Sequence, residues 1–305
     1  MFAIAEFGST TRKTHDCHSD RDLLVVCELK SSRKYVQKYR EQGYSVTLLT
    51  PNQLRFMQKS GSLFIQHLKH ESRIVMDTNS EFLKWISNCP LIVPSRKEIQ
   101  RCISTLEFIS GWPSDDRLTG WKADFLYCVS RDLLIKWLAG KGVLAFGLED
   151  LEPAVLSQKG DLLESFDNLR LLRESKAAYR SDQETPSGTI ETINAWLVEI
   201  ARVFNVNLPI EKFPTSEESV SSLRMRRFSS SYELLRSVEA AYHIVRSHGL
   251  VHPDHEELVK HIRNPNAYGS SQLRKRRVIE QYLAEIIQIM ANNGLQGTLR
   301  FATRP

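Results

Sequence analysis

The chain has 305 residues, of which 41% are hydrophobic and 25% are charged, and its formal net charge at pH 7 is +5. These proportions are close to those of globular domains, so they argue against a largely disordered chain. No run approaches the ~20 apolar residues of a membrane-spanning helix, and Glu6 interrupts the apolar N-terminal stretch, so we expect neither a membrane anchor nor a signal peptide.

Cysteine usage indicates a reducing compartment. The five cysteines are scattered and odd in number, which fits reduced thiols better than a disulfide framework. They are Cys17, Cys27, Cys89, Cys102 and Cys128. We therefore predict a cytoplasmic protein without membrane association.

Two short apolar runs near the N-terminus predict β-strands. Residues 2–7 and 23–26 are partly β-branched and are bounded by turn residues, which favours strand over helix. Gly8 and Ser9 break the first strand, and the polar, basic segment 10–19 leads to the second. The two predicted strands therefore flank one long polar connection.

The end of this connection indicates metal chemistry. Residues two apart on a strand share a side, so Asp20 and Asp22 are predicted to project together while Arg21 faces away. Adjacent carboxylates repel each other unless a cation lies between them, and their hard oxygen ligands suit Mg²⁺ or Mn²⁺. Gly8 permits close approach of the backbone to a ligand, and Ser9 offers a hydroxyl and an amide to phosphate oxygens. The pattern predicts a site for a metal-bound NTP.

This arrangement resembles the signature of the polymerase-β-like nucleotidyltransferase superfamily, and within it the minimal nucleotidyltransferases. Their pattern is a Gly-Ser pair, a basic loop, Ser-Asp-x-Asp and an apolar strand, and the likeness covers about the first quarter to third of the chain. The matching positions are Gly8, Ser9, Ser19, Asp20, Asp22, Leu23 and Val25, with Arg12 where the family often has a basic residue. The resemblance implies that Asp20 and Asp22 are catalytic metal ligands. The nucleotide-binding residues would be Gly8, Ser9, Thr10, Arg12 and Ser19.

A third carboxylate, which many family members use, is not identified. The strand that would carry it is predicted at residues 44–50, and the corresponding residue is Thr47, which cannot bind a metal as a carboxylate does. Glu28 and Asp77 are the alternatives for this role. The absence of an acid at 47 supports a second reading, in which the chain keeps the fold but acts as a catalytically inactive interaction or regulatory protein.

The remaining elements predict a two-domain chain. After the second strand we predict a helix at 31–42 that Gly43 ends, the strand at 44–50, a helix within 62–72 and a strand at 73–77. Helical periodicity then continues nearly throughout. The predicted helices are 96–109, 118–138, one or two within 148–180, 190–204, 232–247, 256–262 and 272–292. We predict an α/β nucleotidyltransferase domain with a mixed sheet and helices at residues 1–92, and an all-α domain at 93–305.

Histidines and cysteines give weaker metal signals. His15, Cys17 and His18 are three crowded ligands, whereas a structural zinc site needs four. His67 and His70 share a helix face but have no further ligand at suitable spacing. We predict no metal site at either place.

Two arginine-rich clusters and two Arg-His pairs raise the question of RNA. Residues 224–227 and 274–277 concentrate positive charge, which predicts either phosphate contacts or solvated faces. Arg236 with His243 and Arg246 with His252 fit the loose Arg-x4-6-His pattern of the helical HEPN ribonucleases. That likeness gives a third reading, metal-independent RNA cleavage, which His252→Ala would abolish.

The first reading is the one we predict: transfer of an NMP from an NTP to an acceptor hydroxyl by a Mg²⁺-dependent in-line mechanism. Minimal nucleotidyltransferases often occur in toxin-antitoxin and phage-defence loci. The resemblance therefore implies a protein or RNA acceptor in such a setting, and a partner protein or a homo-oligomer.

Overall fold

A computed structural model of the chain describes residues 2–8, 11, 21–60, 62–160, 163, 165–228, 230–263 and 272–295. It divides into two compact units, one comprising Met1–Ile99 and Asp132–Gly160 and the other Gln100–Arg131 and Asp161–Pro305. The described residues form a small mixed sheet and many helices, in line with the predicted fold class at this coarse level. The domain boundary near residue 92 stays a prediction.

The secondary structure follows the predicted elements closely. Strands β1 to β4 span Ala3–Phe7, Asp22–Val26, Ser45–Leu49 and Arg73–Asp77. Helices α1 to α13, in chain order, span Leu29–Glu41, Pro51–Lys59, Leu63–Glu71, Glu81–Ser87, Arg96–Ser110, Thr119–Ala139, Leu148–Lys159, Asp167–Arg180, Thr189–Phe204, Ser216–Ser222, Ser231–Ser247, His255–Arg263 and Gln272–Asn292. No described helix has both the length and the apolarity to cross a bilayer.

The first unit is built on a four-stranded mixed sheet of order β3-β2-β1-β4. β1 is antiparallel to both β2 and β4, whereas β2 and β3 are parallel. A parallel pair needs a crossover connection, which α1 provides between β2 and β3. The mixed sheet expected from the sequence is confirmed.

Side-chain alternation gives this sheet two apolar faces. One face presents Ala3, Ala5, Phe7, Leu24 and Val26, and the other presents Ile4, Leu23, Val25 and Cys27. Every one of these side chains is at most 6% exposed, as expected of strands covered on both faces. Helices α2, α3 and α4 cover the first face with Leu54, Ile65, Leu68 and Phe82. Helix α1 covers the second face with Tyr35, Val36 and Tyr39.

Three short helices were missed from the sequence, namely α2, α4 and α10. Before α2, Thr50 and Gln53 form a reciprocal capping box and Pro51 occupies the first helical turn. The fixed φ of Pro51 and the reciprocal hydrogen bonds of the capping box both favour a helix start. Before α4, the Asp77 carboxylate accepts hydrogen bonds from Phe82 N at 3.0 Å and Leu83 N at 2.8 Å. Capping contacts therefore define helices that are too short for a periodic signal.

The second unit is helical and has an aromatic core. Neighbouring ring centroids lie 5.8 Å apart for Phe108 and Trp112, 5.0 Å for Trp112 and Trp121, and 5.7 Å for Trp121 and Phe125. Burial of such rings is a large apolar contribution to stability. Trp121, Phe125 and Tyr127 are at most 6% exposed and belong to this core.

Candidate functional site

The candidate site begins where β1 ends. Gly8 has a φ of +74°, a left-handed conformation that glycine adopts without side-chain strain. A Cβ added at Gly8 would lie 3.2 Å from Oδ2 of Asp22. The antiparallel register explains this proximity, because Phe7 pairs with Asp22. Thr11 closes the turn, since its N and Oγ1 donate to Gly8 O at 3.1 and 2.8 Å.

Asp22 and Arg21 point in different directions. Asp22 is half-buried and alternates with Leu23, so it shares the sheet face of Phe7. Arg21 instead donates from Nη2 to Tyr44 Oη at 2.7 Å, and its guanidinium lies 4.1 Å from the Tyr44 ring centroid. These contacts keep the positive charge of Arg21 on the opposite side of the strand.

Glu6 anchors the opposite face. Its buried carboxylate accepts hydrogen bonds from Tyr44 Oη at 2.8 Å and from Arg73 Nε at 3.0 Å. Burial raises the pKa of Glu6, but the hydrogen bonds from Arg73 and Tyr44 outweigh burial and leave the pKa below its ordinary value. Glu6 is therefore an ionised structural carboxylate that joins β1 to β4, away from Asp22.

Five of the seven predicted site residues lie outside the described residues. They are Ser9, Thr10, Arg12, Ser19 and Asp20. His15, Cys17 and His18, which we excluded as a zinc site, are also outside. The structure therefore brings together Gly8 and Asp22, while the participation of the other five stays a prediction.

Thr47 occupies the same sheet face as Asp22 but not the nearest position. In the parallel register Asp22 pairs with Ser45, and Thr47 pairs with Leu24. Paired residues project to the same side, so Thr47 lies two register positions further from the Gly8 turn than Ser45 does. The side chains at both positions are hydroxyls rather than carboxylates.

The two alternative acids lie at the other end of the sheet. Glu28 follows the end of β2, six residues beyond Asp22, or about 20 Å along extended chain. Asp77 pairs with Ala3 at the far end of β1 and caps α4. Neither Glu28 nor Asp77 is in position to share a metal ion with Asp22.

A hydrogen-bonded histidine and glutamate, to which the sequence gave no role in the site, lie on a helix beside Phe7. His67 Nε2 lies 2.9 Å from Glu71 Oε2, and the His67 ring lies 5.6 Å from the Phe7 ring and is stacked 4.6 Å from the Phe146 ring. The signal in the sequence is the i, i+4 spacing of His67 and Glu71 on one helix. Because Phe7 pairs with Asp22, this histidine flanks the Gly8 turn on the same sheet face.

The residues at the turn fit a metal-bound phosphate. Among the described residues no three His, Cys, Asp or Glu side chains gather as a metal site. Mg²⁺, however, is commonly held by one or two carboxylates together with substrate phosphates. The Asp22 carboxylate supplies hard oxygen donors, and because Gly8 has no side chain, the backbone of the turn lies close to that carboxylate.

A second polar cluster lies inside the helical unit. Asp124 is fully buried, and its carboxylate is 2.9 Å from Arg180 Nη2 and 3.0 Å from Arg236 Nη2. Burial raises the pKa of Asp124, but the two guanidinium groups hold it below its ordinary value. Arg236 Nη1 is 2.7 Å from Glu239 Oε2. Three helices are therefore joined by charge pairs shielded from water.

His243 extends this cluster. Tyr179 Oη donates to Glu239 Oε1 at 2.6 Å and lies 2.6 Å from His243 Nε2. Because the tyrosine proton is used on Glu239, Nε2 of His243 must be the donor, which leaves Nδ1 with the lone pair. Burial, with a contribution from Arg236, lowers the pKa of His243 to about 4. The imidazole is neutral at pH 7.

The structure separates the two Arg-His pairs found in the sequence. Arg236 and His243 lie on one helix, α11, whereas α11 ends before His252 and Gly249 adopts a φ of +74°. His252 uses both ring nitrogens, Nε2 near Glu285 Oε2 at 2.9 Å and Nδ1 accepting from Asp254 N at 3.0 Å. The expectation that His252 would be the reactive histidine therefore has no geometric support, whereas Nδ1 of His243 has no hydrogen-bond partner among the described residues.

Comparisons with known proteins do not identify the chain. Known protein families, curated proteins and solved structures all gave no match. Function therefore rests on the contacts described above.

Proposed function

We propose that the chain is a metal-dependent nucleotidyltransferase with its active site at the Gly8 turn. The proposal rests on the proximity of the Asp22 carboxylate to this turn. A Cβ added at Gly8 would lie 3.2 Å from Oδ2 of Asp22. A phosphate seated on the turn and a cation on Asp22 would be adjacent. The sheet face supports it further, because the guanidinium of Arg21 is held against Tyr44 on the opposite side of the strand.

Each predicted residue has a role in the transfer. Asp20 and Asp22 would hold Mg²⁺ or Mn²⁺, which when bound offsets negative charge on the phosphate oxygens. Gly8 and Ser9 seat the NTP triphosphate, with Thr10, Arg12 and Ser19 contacting it. An acceptor hydroxyl oxygen forms a bond to the α-phosphorus as the bond to the β-phosphate oxygen breaks. Pyrophosphate leaves with that electron pair, and the hydroxyl proton passes to solvent. The chain contributes mainly positioning.

Labelled nucleotide tests this function. The pure protein is incubated with each α-³²P-NTP, Mg²⁺ or Mn²⁺, and either total RNA or cell lysate. We expect label on an acceptor and a loss of about 100-fold or more in Asp22→Asn. Glu28→Gln is the matched control, since Glu28 is an exposed acid just beyond the other end of β2. Equal labelling by wild type and Asp22→Asn would refute the proposal.

The acceptor and the setting are part of the same proposal. We place the protein in the cytoplasm, with a protein or RNA acceptor and a partner protein or second copy, in a toxin-antitoxin or phage-defence context. The described cysteines support a reducing compartment, because Cys27, Cys89, Cys102 and Cys128 are free thiols. Nucleotide binding without transfer would favour the inactive interaction protein instead.

A second candidate function, metal-independent RNA cleavage, is favoured by the geometry of His243. Its Nε2 is anchored through Tyr179 to Glu239, and its neutral Nδ1 has the lone pair that a general base needs. Arg236, two helical turns earlier on α11, supplies a positive charge near the same cluster.

RNA degradation in EDTA distinguishes this function from nucleotide transfer. We expect wild-type protein to degrade RNA and His243→Asn to lose about 100-fold or more of that activity. His252→Asn is the control, because both His252 nitrogens are already bonded. Undegraded RNA with wild-type protein, or equal losses in the two variants, would exclude cleavage at His243.

A further inference from the structure

The two arginine clusters of the second unit meet at one groove. The groove has a volume of about 760 Å³ and lies between the segment around 223–228 and helix α13. Arg224, Arg226 and Arg227 line one side and Arg276 lines the other. Arg276 Nη2 donates to Phe228 O at 3.2 Å, which ties the two sides together. Arginines about 50 residues apart in sequence therefore line one basic groove.

The four arginines are not equivalent. Arg226 is committed to the fold, because its Nε donates to Glu233 Oε1 at 3.0 Å and its guanidinium lies 3.8 Å from the Phe108 ring centroid. Arg224 and Arg227 are exposed, and neither is within ion-pair distance of a carboxylate in the described part of the chain. They are available for a ligand.

Arg276 is partly committed. Its Nε is 2.9 Å from Glu280 Oε1 and its Nη2 is bonded to Phe228 O. Among the described residues nothing accepts a hydrogen bond from Nη1. Four guanidinium groups face two carboxylates, Glu233 and Glu280, so an excess of two positive charges remains at the groove. Like charges held this close repel each other, and an anion would relieve that repulsion.

The apolar lining of the groove narrows the choice of anion. Leu234, Leu283 and Ile287 line it together with Phe228. A guanidinium matches the oxygens of a phosphate in a two-bond geometry, and apolar side chains accommodate sugars and unstacked bases. A duplex keeps its bases stacked inside and would leave this lining unfilled. A single strand presents phosphates and bases together.

We propose that this groove binds the phosphodiester backbone of a single-stranded nucleic acid. Arg224, Arg227 and Nη1 of Arg276 contact phosphates, and a sugar or base lies against the half-buried Phe228, above the buried Leu283 and Ile287. The inference goes beyond the proposed chemistry and does not require it, because binding needs neither NTP nor metal. RNA and DNA share the phosphodiester, and the two are compared directly in the test.

Fluorescence anisotropy tests the groove. Labelled single-stranded RNA and DNA of about 12 nucleotides are titrated with the full chain in EDTA, over a series of salt concentrations. Three phosphate contacts predict a slope of log Kobs against log salt of about −2, and Arg224→Ala/Arg227→Ala should reduce it to about −0.7. Ala284→Glu places a carboxylate on an exposed lining position of α13 and should weaken binding about 10-fold or more.

Arg202→Ala/Lys212→Ala is the matched control, since it removes the same charge from two exposed residues of the same unit that do not line the groove. We expect it to bind as wild type. Asp22→Asn should also bind as wild type, which separates this proposal from the nucleotidyltransferase. Tighter RNA than DNA binding supports the proposal and makes RNA the ligand; equal binding supports the shared backbone.

Any one of five results would overturn the proposal. Wild-type protein that binds neither strand removes it, as do groove variants that bind as well as wild type. Control and groove variants with equal losses would show a general charge effect. Tighter binding of a duplex, or full competition by poly-glutamate, would assign the groove to a different partner.

Discussion

Asp22 and Asp124 are both aspartates, but their surroundings differ completely. Asp22 begins a strand, is half-buried and lies against a left-handed glycine. Asp124 lies within a 21-residue helix, is fully buried and contacts two arginines from two other helices. The first carboxylate lies beside the Gly8 turn at the start of its strand, and the second is enclosed by its own protein.

The contrast shows that burial decides whether a carboxylate stabilises the fold or can take part in chemistry. A buried carboxylate that is fully paired is a structural group, because removal of either partner leaves an uncompensated charge in a dry interior. A half-buried carboxylate beside a side-chain-free turn retains access to water and cations. Substitutions at the two places should therefore differ in kind.

Asp124→Asn should have the largest effect on stability. Asparagine keeps the shape but leaves Arg180 and Arg236 without their shared carboxylate, so we expect the free energy of unfolding to fall by about 3–5 kcal/mol. Urea denaturation followed by circular dichroism measures it. Asp132→Asn on the same helix is the control, because Asp132 is 52% exposed and pairs with Lys136, and its loss should stay within about 1 kcal/mol. Similar losses in the two variants would contradict the contrast.

Acid should weaken the enclosed cluster through His243. Its pKa is about 4 in the folded state against 6.5 ordinarily. Between these values the unfolded chain binds the proton and the folded chain does not, so stability falls as pH decreases from 6.5 to 4, by about 3 kcal/mol in total.

The comparison of wild type with His243→Gln isolates this effect. Burial raises the pKa of Glu239, which acts in the opposite direction, but both proteins keep Glu239. Urea midpoints at pH 7.5, 5.5 and 4.5 should converge between the two proteins as pH falls. Parallel curves would show that His243 does not titrate in this window.

Gly8→Ala tests the turn at the candidate site, and Gly43→Ala is its control elsewhere in the chain. Both glycines have positive φ, +74° and +81°, so each alanine should cost about 1–2 kcal/mol in backbone strain. Only at Gly8 would the new Cβ meet the Asp22 carboxylate, since nothing lies within 4 Å at Gly43. We expect Gly8→Ala to destabilise more and to reduce nucleotide transfer, and Gly43→Ala to reduce stability alone. Identical transfer by the two variants would argue against a phosphate at the turn.

Asp22→Asn should have the smallest effect on stability. Because the side chain is half-buried, we expect the free energy of unfolding to change by less than about 1 kcal/mol, while transfer is lost. Thermal or urea unfolding beside the labelling assay gives both quantities on one sample. A loss as large as that of Asp124→Asn would make Asp22 a structural residue.

The sequence predicted most elements of the fold because their signals are local. Alternating or continuous apolar runs marked β1 and β2, and the strand at Arg73–Asp77 and the helix at Gln272–Asn292 have the predicted bounds. The proximity of Gly8 and Asp22 could also be predicted from the sequence, since one polar connection joins two adjacent strands. The short helix at Pro51–Lys59 was missed because its signal is a cap rather than a period.

The strands, the longer helices and the proximity of Asp22 to the Gly8 turn can be inferred from the sequence alone. These features depend on neighbours within about 20 residues. Long-range packing brings Asp124, Arg180 and Arg236 into one cluster and Arg276 to the same groove as Arg224 and Arg227. It also leaves Nδ1 of His243, unlike that of His252, without a hydrogen-bond partner among the described residues. The physical reason is that these contacts join side chains from helices far apart in the chain. Burial and packing geometry fix such contacts, and no local pattern of residue types specifies them.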